Sequence, residues 1–303
     1  MGNRRKIRRF RLIFNSVLII PILIFSQAEY QIQSVPNNVA SLAFHNGFDA
    51  LKKHNCYYVN TYAMNDSNKS ISLVRFPAGI NLLNYTNNYS QNNNNLIHYS
   101  LSFIDYGTFQ NKIDDQIIDE FTSYELMANY FFTKSITRLW DVEYTLGGLY
   151  SQIDTYNSSL ISSNIKFYSQ INNYNISFSI NNIGIILKSY TSNSIKTPLK
   201  GQFSIIKINK NKKIILGYDI VYHFNFNNIQ HIIGLYTNIN ENVNIMVSTS
   251  SYRKYLRVDN LNNDLLYGLG LGINIITKHK SKIDLGISSL GSAGHIFGLT
   301  FNF

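Results

Sequence analysis

The chain has few of the residues that cross-link or interrupt a soluble domain. Its 303 residues include one cysteine, four prolines and one tryptophan. A single cysteine, Cys56, cannot form an intramolecular disulfide, which excludes a disulfide-stabilised scaffold. After residue 28 the sequence has no apolar run of the roughly 20 residues that a membrane-spanning helix needs. The choice is therefore between a soluble β-protein and a transmembrane barrel.

The N-terminus has the three parts of a secretory signal peptide. Residues 4–11 carry six basic side chains and no acid, residues 12–25 are mostly apolar, and Ser-Gln-Ala follows at 26–28. We predict that residues 1–28 are removed; the alternative, a membrane-anchoring helix, would need a longer run without Pro21. The formal net charge of +10 then falls to about +4, because six positive charges leave with the signal peptide. Such a charge excludes a nucleic-acid-binding surface.

The rest of the sequence alternates between apolar and small or polar residues. Examples are 97–103, 124–132, 216–224 and 267–275, and several of these runs reach the nine residues that a tilted membrane strand needs. Gly, Ser, Asn and Thr fill the second face, whereas a soluble sandwich, the alternative, packs large apolar groups there. The 22 tyrosines and 19 phenylalanines suit the aromatic girdles of a barrel. We predict an all-β, transmembrane antiparallel β-barrel of about 14 strands.

The last residues continue this alternation to the end of the chain. Phe297, Leu299, Phe301 and Phe303 share one face, and a strand that reaches the final residue is expected to be paired on both edges. We therefore predict that the last strand pairs with an early one. The predicted organisation is a signal peptide (1–28), an N-terminal periplasmic or plug-like segment (29–55) and an outer-membrane barrel (56–303).

The sequence contains no recognisable catalytic or metal-binding motif. His-Asn-Cys at 54–56 is a weak metal signal. The acidic pairs 114–115 and 119–120 fit a cation site or a catalytic acid pair, but a solvated loop explains them as well. We expect no cofactor, no metal and no enzymatic activity, with an outer-membrane enzyme as a third hypothesis. Two segments, 84–95 and 105–120, are predicted to be long loops, which in barrels usually lie on the outer side.

Five segments in order resemble the PorQ family of type IX secretion proteins: 101–115, 121–137, 149–170, 180–205 and 268–303. The most specific pieces are Tyr-Gly-Thr-Phe at 106–109, Tyr-Ser-Gln-Ile-Asp at 150–154 and Asn-Ile-Gly-Ile-Ile-Leu-Lys at 182–188. The resemblance extends over most of the mature chain. One departure is residues 60–63, Asn-Thr-Tyr-Ala, where related proteins tend to have an Asn-Pro-Ala turn.

The resemblance implies an integral outer-membrane barrel of the FadL-like group, in the type IX machinery of Bacteroidota. Its expected partners are PorZ-, PorU- and PorV-like proteins of the attachment complex, together with outer-membrane lipid and lipopolysaccharide. PorQ-like proteins hold PorZ at the membrane and are not the enzyme. The alternative function is a FadL-like transporter of an apolar small molecule, which would need an N-terminal plug and a hydrophobic lumen pocket.

On this basis we assign two sets of candidate residues. The residues of the candidate partner-binding loop are Asp105, Tyr106, Phe109, Asp114, Asp115, Asp119 and Glu120. The terminal aromatic strand is the candidate barrel-assembly signal, because related barrels are recognised by such a strand. Its residues are Phe297, Leu299, Phe301 and Phe303.

Overall fold

The structure is a closed barrel of 14 antiparallel strands. It is a computed structural model that describes residues 30–53, 69–92, 95–113, 116–137, 139–191, 196–209, 214–252, 267–277 and 281–303. Each strand pairs with its neighbours in the chain, and β14 pairs with β1, which confirms the predicted all-β barrel. The strands are β1 (Lys69–Arg75), β2 (Asn81–Asn92), β3 (Asn95–Ile113), β4 (Gln116–Ser135), β5 (Trp140–Ile153), β6 (Tyr156–Ile171), β7 (Tyr174–Lys188), β8 (Lys200–Asn209), β9 (Ile214–His223), β10 (Asn228–Asn238), β11 (Val243–Ser250), β12 (Leu269–Ile276), β13 (Lys282–Ser289) and β14 (His295–Asn302).

The period-two pattern of the sequence separates the two faces of this wall. Strand β1 alternates strictly between exposed and buried residues, and β11 alternates between partly and fully buried ones. Large apolar side chains such as Leu216 and Ile233 point outward and are 52% and 58% exposed, while Ser72, Asn84 and Ser204 point inward and are fully buried. An apolar belt around a closed barrel is stable against hydrocarbon and not against water. The wall therefore spans a bilayer.

The two ends of the barrel differ in the length of their connections. The first residue of β1, Lys69, and the last residue of β14, Asn302, lie at the same end of the barrel. At this end the strands are joined by short turns such as 172–173. The longest connections, 189–199 and 251–268, lie at the opposite end. Since outer-membrane barrels have short periplasmic turns and longer extracellular loops, the opposite end is the outer one.

The two segments predicted to be long loops are strands. Residues 84–92 belong to β2, whose turn to β3 lies at the periplasmic end, and residues 105–120 form the paired ends of β3 and β4. The prediction was wrong because neither segment alternates regularly between apolar and polar residues, so neither carries a strand signal. The backbone hydrogen bonds of a ladder form regardless of the side chains.

Residues 30–53 lie inside the barrel. They contain a short α-helix, α1 (Val39–Ala43), and 3-10 turns at Gln31–Gln33 and Asp49–Lys53. Asn38 starts α1 as a capping box: its Oδ1 accepts from the Ser41 amide, and Ser41 Oγ accepts from the Asn38 amide. No helix in the described part of the chain is long and apolar enough to cross a membrane.

Candidate functional site

We call residues 30–53 the lumen plug. The part of the plug from Val39 to Phe48 packs against inward-facing glycines of the wall. The Phe48 ring lies over Gly217 and Gly234, and a Cβ at Gly217 would overlap that ring. A Cβ at Gly270 would lie 2.4 Å from the carbonyl oxygen of Ala43, and Val39 lies against Gly286 and Gly298. These glycines point inward at positions where a side chain would exclude the plug. The small inward face of β9–β14 is therefore a docking surface for the chain's own N-terminal segment.

A sharp reversal of the backbone brings Phe48 to this surface. His45, Asn46 and Phe48 all have positive φ angles, 51°, 59° and 67°, a conformation that a bulky side chain adopts only when its surroundings enforce it. Packing provides that enforcement, because Phe48 is fully buried and stacks on Phe44 with ring centroids 4.5 Å apart.

Buried polar groups of the wall bind the backbone of the plug. Oδ2 of Asp219 accepts from the Phe48 amide over 2.6 Å, and Oγ of Ser248 donates to the Ala43 carbonyl over 2.6 Å. Nδ2 of Asn175 donates to the Ala50 carbonyl over 3.1 Å. A buried backbone group without a partner is costly, so each of these contacts holds the plug in one position.

An ion pair between the plug and strand β6 adds to this network. Nζ of Lys166 lies 3.1 Å from Oδ2 of Asp49, and the two side chains are 15% and 7% exposed. An ion pair of this kind is sensitive to the loss of either partner, because the remaining charge would be buried alone.

The outer mouth of the lumen is closed by aromatic and aliphatic side chains. Tyr30 and Ile32 are buried in an apolar cluster with Ile104 and other inward residues of β1–β6. The Tyr30 hydroxyl bonds Ser158, and the Ile32 amide donates to Oε2 of Glu125 over 2.9 Å. Burial raises the pKa of Tyr30 above its usual range. The apolar part of the mouth is thus filled by the plug itself.

A cavity of about 180 Å³ remains between the plug and the wall from β2 to β8. Its lining is mainly amides and hydroxyls, with the Asp49–Lys166 pair at its side; examples are Asn129, Asn164 and Gln202. A polar cavity of this size has room for ordered water. It is not the hydrophobic pocket that a carrier of apolar molecules would need.

The outer ends of β3 and β4 form a two-stranded ribbon that projects beyond the rest of the wall. Among the described residues, β3 pairs with β2 only up to Asp105, and β4 pairs with β5 only from Ser123. The two strands continue to pair with each other to Ile113 and Gln116. Phe109 and Phe121 stack across the ribbon with centroids 5.2 Å apart, and Phe109 is 44% exposed.

The ribbon brings together some of the candidate partner-binding residues. Phe109, Asp119 and Glu120 lie exposed on it, and Oε1 of Glu120 accepts from Gln110 over 2.6 Å. Asp105 lies at its base and accepts from the amide of Gly107, whose φ is 82°. Tyr106 lies apart from them, because its side chain packs into the apolar mouth of the lumen. Asp114 and Asp115 lie outside the described residues.

The candidate assembly residues lie on the lipid side of the barrel seam. Phe297, Phe301 and Phe303 are exposed and Leu299 is partly buried. All six residue pairs between β1 and β14 involve residues 297–302. The Phe303 amide donates to the Lys69 carbonyl over 3.0 Å, and the Lys69 amide donates back to Phe303 over 3.1 Å. The predicted pairing of the last strand with an early one is confirmed.

Sequence reasoning missed most residues of these sites, among them Phe121, Tyr30, Phe48 and Asp219. Asp219 had a usable signal, since an acid on the inward face of an otherwise apolar or small strand needs a partner in the lumen. Tyr30 and Phe48 lie in a segment too short and irregular for any periodicity. Within the described ranges, no group of three or more His, Cys, Asp or Glu side chains is placed to hold a metal ion.

The solved structures of similar fold include TodX barrels. The chain has 10% identity and a TM-score of 0.54 to the Pseudomonas putida toluene transporter TodX, covering 92% of this chain and 97% of that one. A TodX deltaS2S3 mutant, titled a monoaromatic hydrocarbon channel, gives 10% identity and 0.54 over 88% and 96%. The fold is that of a TodX-type barrel. This confirms the predicted FadL-like architecture.

Sequence comparison identifies no relative of this chain. No family model and no curated protein matches the chain, and at 10% identity the likeness to TodX concerns the fold. Together with the apolar belt and the closed wall, this fold identifies the chain as an integral outer-membrane β-barrel.

Proposed function

We propose that this barrel is a non-enzymatic scaffold of the type IX secretion attachment complex and holds a PorZ-like surface protein. The observation that carries the proposal is the β3–β4 ribbon, which projects from the outer rim of a barrel whose lumen is occupied by its own residues 30–53. An isolated two-stranded ribbon is marginally stable in water. A partner that covers it would stabilise both the ribbon and the complex.

The chemistry of the ribbon indicates what kind of surface it binds. Residues 105–120 contain five acids and one lysine, which gives a net charge of −4. The stacked pair Phe109 and Phe121 provides an aromatic anchor beside these charges. A basic surface with an apolar pocket is complementary to this arrangement. The resemblance to PorQ proteins points to a PorZ-like protein as the partner, with PorU- and PorV-like proteins in the same complex.

Transport of an apolar small molecule is the second candidate, and the barrel likeness favours it. TodX is titled a toluene transporter, and the plug that such a carrier would need is present. The lining of the remaining cavity argues against it, because amides and hydroxyls would have to be desolvated by an apolar passenger. The apolar clusters of the lumen are filled by plug side chains such as Tyr30 and Phe48.

Charge reversal on the ribbon tests the scaffold proposal. Asp119→Lys with Glu120→Lys should reduce PorZ-like protein recovered with the tagged barrel at least tenfold, while the barrel keeps its heat-modifiable migration. Glu241→Lys, in an exposed periplasmic turn, is the matched control and should change nothing. Full recovery with the reversed ribbon, or after deletion of residues 108–121, would show that the contact lies elsewhere.

A further inference from the structure

The lipid-facing wall has a depression across β3 to β6. Ala128 on β4 and Gly148 on β5 are paired across the sheet, and both face outward. A Cβ at Gly148 would meet nothing within 4 Å. Together with their neighbours, the two small residues border an open depression of about 640 Å³.

Large apolar side chains surround this depression. Leu101, Leu146 and Ile161 rise on its sides and are 47%, 59% and 44% exposed. Tyr130 stands at one end and is 48% exposed. Elsewhere on the belt, large side chains such as Leu216, Ile233 and Leu271 face outward. The depression is therefore a groove in an otherwise convex apolar surface.

One end of the groove is amphipathic. The rings of Tyr85 and Tyr99 lie 6.5 Å apart, and the Tyr99 hydroxyl accepts from Nδ2 of Asn87 over 2.6 Å. Along β2, Asn87 follows Tyr85 toward the turn to β3, and that turn lies at the periplasmic end. Phenol and amide groups at the end of an apolar groove suit the boundary between an acyl chain and its headgroup.

We propose that this groove binds one acyl chain of a phospholipid from the periplasmic leaflet, with the glycerol end at Tyr99 and Asn87. The occupant follows from position, because the groove faces the hydrocarbon layer and its polar end faces the periplasmic side. A chain in a groove is contacted on several sides, whereas a chain on a convex wall is contacted on one. The groove therefore retains its lipid when the surrounding lipid exchanges.

Filling the groove tests the proposal. The full barrel is reconstituted with palmitoyl-oleoyl phosphatidylethanolamine, moved into mild detergent and weighed by native mass spectrometry. One phosphatidylethanolamine should remain per wild-type barrel, and Ala128→Leu with Gly148→Leu should lower that occupancy at least fivefold. Val247→Leu, on the lipid-facing side of β11, enlarges an outward side chain away from the groove and should leave occupancy unchanged.

A second measurement uses the unaltered chain and does not depend on the variants folding. Phosphatidylethanolamine with a diazirine in its acyl chain should give adducts concentrated on Leu101, Tyr130, Leu146 and Ile161. Four results would each overturn the proposal. The first two are equal retention of phosphatidylethanolamine by the filled variant and adducts spread evenly around the barrel. The others are retention of lipopolysaccharide in place of phospholipid and a dimer that the filled variant abolishes.

Discussion

The amide of Phe48 donates a 2.6 Å hydrogen bond to Oδ2 of Asp219, 171 positions later in the chain. The same carboxylate accepts from Nε2 of Gln202 over 2.8 Å and from Oγ of Ser204 over 2.6 Å. One buried acid on β9 therefore joins the plug to strands β8 and β9. This contact makes the plug part of the packed interior of the barrel.

Asp219→Ala should loosen the plug. It leaves three buried donors without an acceptor, and each unsatisfied group costs about 1–3 kcal/mol. We expect cleavage within residues 30–53 by an added protease at a lower urea concentration than in the wild type. Asp119→Ala removes an exposed acid from the ribbon and should have no effect on this cleavage. Identical cleavage profiles for Asp219→Ala and wild type would mean that the plug is held by other contacts.

Gly217→Ala should displace the Phe48 ring, because its Cβ would overlap that ring. Overpacking of a tight contact typically costs about 1–3 kcal/mol. Urea unfolding of the barrel should show this loss, and the double variant Gly217→Ala with Phe48→Leu should recover part of it. Gly148→Ala is the control, since its Cβ would meet only open space. A loss that Phe48→Leu does not reduce would contradict the assigned contact.

The plug should weaken in mild acid. Burial lowers the pKa of His45 from 6.5 to about 4, so the folded chain binds a proton less readily than the unfolded chain. The resulting stability is present above pH 6.5 and is lost as the pH falls toward 4, by up to about 3 kcal/mol at 1.36 kcal/mol for each pKa unit. Plug protection from protease, measured against pH, should decline over this interval. His45→Asn should flatten the decline, and an unchanged profile would refute the assignment.

Loss of residues 297–303 should prevent closure of the barrel. The deletion removes every pair between β1 and β14 and leaves two open strand edges, which are not tolerated in a bilayer. We expect no heat-modifiable band and little protein in the outer membrane. Phe303→Ala keeps the backbone pairing and should lower outer-membrane levels more mildly, through the terminal aromatic. Normal levels of the truncated chain would contradict the assembly role of this strand.

The barrel could be predicted from the sequence because a bilayer imposes alternation on every strand that crosses it. Residues 124–132 and 216–224 show this, and the structure places their apolar sides outward as expected. The ribbon could not be predicted, because residues 109–120 show no regular alternation of apolar and polar residues. The same lack of alternation explains why β2 from Asn84 onward was predicted to be a loop.

The interior could be predicted only in part. The small residues on the inward face of β9–β14 were correctly placed, but in isolation they indicate a lumen and say nothing of what fills it. Gly217 and Gly234 lack side chains because the Phe48 ring packs on them, and Phe48 lies 169 and 186 residues before them in the sequence. A contact of this kind depends on closure of the barrel, and no local pattern records it.

A pull-down of the tagged wild-type protein from native outer membranes in mild detergent, with mass spectrometry of the recovered material, tests the central claim most directly. The scaffold account predicts PorZ-like protein in near-equal amounts, with PorU- and PorV-like proteins beside it. Recovery of the barrel alone, with an apolar small molecule bound in its lumen, would contradict the scaffold and establish the transporter.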